Sequence, residues 1–72
     1  MPYKAYIDAK MKLLDGKVKW VMIEAMPNVG TYLTKTEAEA QARQSLKYWR
    51  RQHKAGKLRA KYGAFRSRVV RK

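Results

Sequence analysis

His53 is the only histidine in the chain, and it stands in the run Arg51-Gln52-His53-Lys54. A proton shuttle or metal ligand needs a second group to orient or share it, and this neighbourhood supplies only cations. The five acids are no better placed for paired acid–base work. Glu37 and Glu39 sit where a helix begins, and carboxylates there serve the helix dipole and the cap. Asp15 belongs to a turn. Asp8 and Glu24 have no evident structural duty, and the strand pairing expected below places them on opposite faces. The chain has no cysteine, which removes disulfides and thiolate metal sites. No glycine-rich phosphate loop or nucleophile elbow occurs. The expectation is a binding protein with no catalysis, no metal, no cofactor and no small-molecule substrate.

The chemistry that remains is that of cations. The 72 residues carry 18 Lys+Arg against 5 Asp+Glu, a formal charge of +13. The charge is unevenly spread. Through Glu39 six lysines nearly balance the five acids, whereas from Ala40 onward there are 12 Lys+Arg and no acid. That asymmetry points to a polyanion, with nucleic acid first. The candidate contacts are Arg43, Lys47, Arg50, Arg51 and Lys54, followed by Lys57, Arg59, Lys61, Arg66, Arg68 and Arg71. The first five form like-charge pairs at helical spacings of three and four, each unfavourable by a few tenths of a kcal/mol. An external anion would relieve them, although many basic helix faces are simply solvated.

The elements that must position these groups follow from hydrophobic period and turn chemistry. Tyr3, Ala5, Ile7, Ala9, Met11 and Leu13 alternate with Lys4, Tyr6, Asp8, Lys10 and Lys12, the period of a strand with one buried face. Asp15-Gly16 suits a two-residue hairpin turn, because both residues tolerate positive φ. Lys17–Ala25, rich in β-branched and aromatic residues, forms the returning strand. That turn pairs Leu13 with Val18, Met11 with Trp20 and Ala9 with Met22 on the buried side. It also sets Lys12 opposite Lys19 on the outer side, an unfavourable like-charge pair that a bound anion would relieve. Lysines on an open sheet also discourage edge-to-edge association.

A turn at Pro27-Asn28-Val29-Gly30 precedes a short third strand, Thr31-Tyr32-Leu33. The helix start is marked twice, by Thr34 with Glu37 and by Thr36 with Glu39. Ala38, Ala42, Ser45, Leu46 and Trp49 share the face that covers the sheet, and Gly56 is the stop. The fold expected is α+β, a three-stranded antiparallel sheet packed by one helix, over residues 1–56. Residues 57–72 are expected to form a basic, weakly ordered tail. Its Leu58, Tyr62, Phe65 and Val69 recur at helical spacing, but Gly63 and the charge density oppose a free helix. Deleting Lys57–Lys72 is then expected to leave Tyr3–Trp49 folded. Trp20 and Trp49 are assigned to the core, and Tyr62 and Phe65, interleaved with cations, become candidate stacking contacts.

Trp20 in the second strand, with Thr34-Lys35-Thr36-Glu37-Ala38 at the helix start, resembles the small β-β-β-α DNA-binding domains of the tyrosine recombinase arm-binding and AP2 types. The resemblance covers Lys10 to Trp49. It implies that the sheet enters the DNA major groove, that the helix packs behind it, and that Lys10, Lys12, Lys17 and Lys19 face the groove. The chain departs from that pattern by carrying most of its charge after the helix begins. The function expected is that of a small basic regulatory protein binding nucleic acid, DNA ahead of RNA. The alternative is a phage-type regulator that docks on a host protein such as RNA polymerase. Met1-Pro2-Tyr3-Lys4 opens without an apolar signal segment and no stretch is long enough to span a membrane, so a cytoplasmic, nucleoid-associated protein is expected. The helix face is mostly alanine, a poor lipid anchor.

Overall fold

A computed structural model describes residues 2–58 and 61–71. Strand β1 runs from Tyr3 to Lys12, β2 from Val18 to Met26, helix α1 from Lys35 to Lys54 and β3 from Tyr62 to Arg71. The sheet is antiparallel with order β2-β1-β3, so the first strand is central. The expected α+β class, three antiparallel strands and one helix, is what the chain adopts. The identity of the third strand is corrected. Thr31-Tyr32-Leu33 contributes only an isolated bridge from Tyr32 to Tyr3, while the segment expected to be a weakly ordered tail supplies β3. Alternation decides this: Phe65, Ser67 and Val69 point inward opposite Ala9, Ile7 and Ala5, while Arg66 and Arg68 point outward opposite Asp8 and Tyr6. Two strands alone leave both sides of β1 unequal, and β3 pairs the free one.

The hairpin forms where expected but closes differently. Leu13 N–H donates to the Lys17 carbonyl at 2.7 Å, and Gly16 N–H donates to the Leu13 carbonyl at 3.0 Å. The loop is therefore the three residues Leu14, Asp15 and Gly16, a turn followed by a glycine at φ +88°, the geometry that makes a glycine bulge. Asp15 Oδ1 accepts from Lys17 N–H at 2.9 Å. One extra loop residue slips the register by one, and such a slip turns every side chain of the strand to the other face. Trp20 now pairs with Lys10 and Met22 with Asp8, both on the open side, while Lys19 pairs with Met11 on the helix side. The expected Lys12–Lys19 opposition does not occur, since Lys12 faces Val18. A bulge in β2 at Ile23 restores the expected pairing of Ile7 with Glu24 beyond it. Asp8 and Glu24 accordingly lie on opposite faces.

The helix is capped as its sequence dictates. Glu37 N–H donates to Thr34 Oγ1 and Thr34 N–H to Glu37 Oε1, both at 3.2 Å, a complete capping box. At the other end Gly56 takes φ +71°. Its N–H donates to the His53 carbonyl, and Lys57 N–H donates to the Gln52 carbonyl. This is the double hydrogen bond that closes a helix through a glycine. Ala38 and Ala42 are buried against Ala5 and Ile7, with Leu46 and Trp49 beside them. Alanines on both sides let the helix approach closely, and it lies over β1 and β3 while touching β2 least. Ile7 is the largest fully buried side chain, so the core is thin, as the chain length requires. Trp49 donates to Glu24 Oε1 at 3.4 Å. Burial pushes the Tyr32 phenol above its usual pKa, and the Glu24 carboxylate adds to that shift.

A basic sheet face as candidate nucleic-acid interface

The helix covers one side of the sheet and leaves the other open. On that open side the central strand presents Tyr6, Asp8, Lys10 and Lys12, flanked by Val18, Trp20 and Met22 on β2 and by Ala64, Arg66 and Arg68 on β3. Asp8 is only 3% exposed although no element lies above it. The two arginines cover it. Arg66 Nε donates to Asp8 Oδ2 at 3.2 Å and Arg68 Nε donates to the same oxygen at 2.8 Å. Each guanidinium also rests on a ring, Arg66 at 4.2 Å from the Trp20 ring centre and Arg68 at 4.5 Å from that of Tyr6. Arg66 thus reaches across the central strand from β3 to β2.

The physical consequence is preorganisation. A free arginine loses considerable rotamer entropy when it is fixed on a ligand, but here the carboxylate and the ring hold each group beforehand. Each guanidinium uses one of its five N–H donors on Asp8, and the side chains remain 50% and 44% exposed. Nearby, Lys10, Lys12 and Lys61 line a shallow open pocket of about 480 Å³ together with Tyr62, Val18 and Gly63. Lysines are mobile point charges, whereas the paired arginines are fixed planar forks. The face therefore joins a rigid donor pair to an adjustable cationic rim.

The remaining candidates fall elsewhere. Arg43, Lys47, Arg50, Arg51 and Lys54 are all exposed on α1. Lys47, Arg50, Arg51 and Lys54 lie away from the sheet face, whereas Arg43 lines a groove at the edge of α1 and β3 with Ser67, Arg68 and Val69. Lys57 is exposed in the connection that follows, and Arg59 lies outside the described residues. Arg71 pairs with Tyr3 at the far end of β3 and shares the helix-side row of Val69, and Lys19 also projects toward the helix side. Phe65 is withdrawn from the contact set: it is 7% exposed, stacks on Trp49 with ring centres 6.4 Å apart, and meets His53 and Tyr62 edge-on. His53 is accordingly a packing residue against Phe65. Tyr62 is half-buried at the rim of the lysine pocket.

Asp8 and Trp20 are the participants that sequence reasoning missed. The available signal was a lone carboxylate on a strand's polar face among lysines. Among the described residues no three His, Asp or Glu side chains come together as metal ligands, and no helix is long and apolar enough to cross a membrane. No family model, curated protein or solved structure matches this chain.

Proposed function

We propose that this protein binds duplex DNA through the open face of its sheet and acts as a small regulatory protein without a reaction of its own. The observation that carries this reading is the pair Arg66 and Arg68, held over buried Asp8 on a face ringed by Lys10 and Lys12. Fixed arginine forks suit guanine edges and phosphates alike. The B-DNA major groove admits a β-ribbon, whereas that of duplex RNA is too deep and narrow for side chains to read. Single strands are bound largely by bases stacking on open rings, but the Trp20 and Tyr6 rings already carry guanidinium groups. These points favour duplex DNA.

The test is a salt titration. Arg66, Arg68, Lys10, Lys12 and Lys61 on the face and its rim predict that log K falls against log salt with a slope of roughly −4 to −5. Exchanging Lys10→Gln and Lys12→Gln together should reduce the slope by about 2. No duplex binding near 50 mM salt, or an unchanged slope in the double variant, would overturn the assignment. A second reading rests on the apolar row of β2, where Val18 and Met22 are each 55% exposed beside Trp20. Such a row beside cations also suits an acidic protein surface, such as a host polymerase that the chain would regulate. Capture of a partner from extract that persists after nuclease treatment would favour that reading.

A further inference from the structure

We propose that the basic stripe of α1 is a second duplex-binding surface, so that one molecule bridges two DNA segments. This rests on the reading of the sheet face given above. At 3.6 residues per turn, Arg43, Lys47, Arg50, Arg51 and Lys54 occupy an arc of roughly 100° around the helix. The midline of that arc lies roughly 140° from that of Ala38, Ala42, Ser45, Leu46 and Trp49, the residues turned toward the sheet. Lys47, Arg50, Arg51 and Lys54 therefore face away from the sheet, while Arg43 lies at the edge between α1 and β3, where it lines one groove with Ser67, Arg68 and Val69. Two cationic surfaces look in opposite directions.

They are also electrostatically separate. The smallest Cα extent of the molecule is 17 Å, about two Debye lengths at physiological salt. An anion on the sheet face is screened from Lys47, Arg50, Arg51 and Lys54 on the outer side of the helix, so a single phosphate backbone cannot satisfy both without wrapping the protein. Arg43, which shares a groove with Arg68, belongs to the edge between them. The helix stripe has its own unmet demand. Its members are like-charge neighbours at helical spacing, all exposed, and among the described residues none forms an ion pair. The only helical ion pair described is Lys35 with Glu39, one turn before the stripe. The sheet-face arginines, in contrast, are already held by Asp8. The stripe thus suits nonspecific phosphate contact with a second duplex, held mainly by charge, while the first sits on the preorganised face.

The experiment uses the full chain, a bead-tethered duplex and a second, fluorescent duplex at physiological salt. The protein should carry the fluorescent duplex onto the beads. A variant with Lys47→Gln, Arg50→Gln, Arg51→Gln and Lys54→Gln should lose that capture by about tenfold or more, yet bind one duplex within about threefold of the parent, because these residues are screened from the sheet face. Its helix should melt no earlier than the parent's, since the substitutions remove like-charge neighbours. Binding of one duplex without capture of the second would overturn bridging and leave the sheet-face reading intact. Capture undiminished in the helix variant would also overturn it, since association through the sheet faces alone would then suffice. Failure to bind even one duplex would overturn both readings at once.

Discussion

Asp8 shows how one side chain can serve stability and binding through the same atoms. Its Oδ2 accepts from both arginines, and both of those side chains are about half in water. Replacing Asp8→Ala lets the arginines return to solvent, so the loss is that of two charge-assisted hydrogen bonds and not of a stranded buried cation. About 1–3 kcal/mol of folding stability should disappear, measurable by urea unfolding. Binding distinguishes positioning from mere charge. The substitution raises the net charge by one, which by itself would tighten association with DNA. If Asp8 orients the forks, duplex affinity instead falls, with the salt slope little changed, and a tighter complex would count against that role. The residues least legible in the sequence were of this kind. Trp20 was assigned by size and period and Phe65 by the cations around it, and each had its inside and outside reversed, because the side on which a strand residue falls depends on register and not on hydrophobicity or neighbouring charge alone.

Among the elements, the hairpin strands and the capped helix were readable because their signals are local. Asp15-Gly16 and Thr34 with Glu37 act within a few residues of themselves. Register was harder, since glycine at positive φ serves a two-residue and a three-residue loop equally, and one residue of difference exchanges the two faces. The φ of +88° at Gly16 can be tested: Gly16→Ala should lose roughly 1–2 kcal/mol, the cost of a left-handed conformation for a residue bearing a Cβ, seen as an earlier urea midpoint. Strand β3 was the least legible element. Tyr62, Phe65 and Val69 also fit a helical period, and its partner strand lies more than fifty residues earlier, as in the pairing of Arg68 with Tyr6. This reverses the truncation expected from sequence. Removing Lys57–Lys72 takes Phe65 and Val69 from the core and exposes an edge of β1, so the remaining chain should lose its cooperative melting transition. A truncated protein with a sharp melt and native near-ultraviolet dichroism would contradict the role of β3.

At the scale of the whole molecule, stability and binding should answer salt in opposite directions. A net charge of +13 is confined within a radius of gyration of 13.2 Å. The Debye length is about 30 Å at 0.01 M salt and about 8 Å at 0.15 M. At the lower salt every cation feels nearly all the others, and folding brings them closer than they are in the unfolded chain. At the higher salt only neighbours interact. The free protein should therefore melt higher as salt is added over this range. A gain of about 1 kcal/mol would raise Tm by roughly 4–8 °C for a domain of this size. With duplex DNA present the order reverses. A ligand that binds only the folded state at a hundred times its Kd adds about 2.7 kcal/mol, and that Kd weakens steeply as salt is added. Thermal melts at matched salts, with and without a short duplex, should give one rising and one falling curve that converge at high salt. Two rising curves that coincide throughout would mean that the duplex does not engage the folded molecule, and the sheet-face assignment would fall with them.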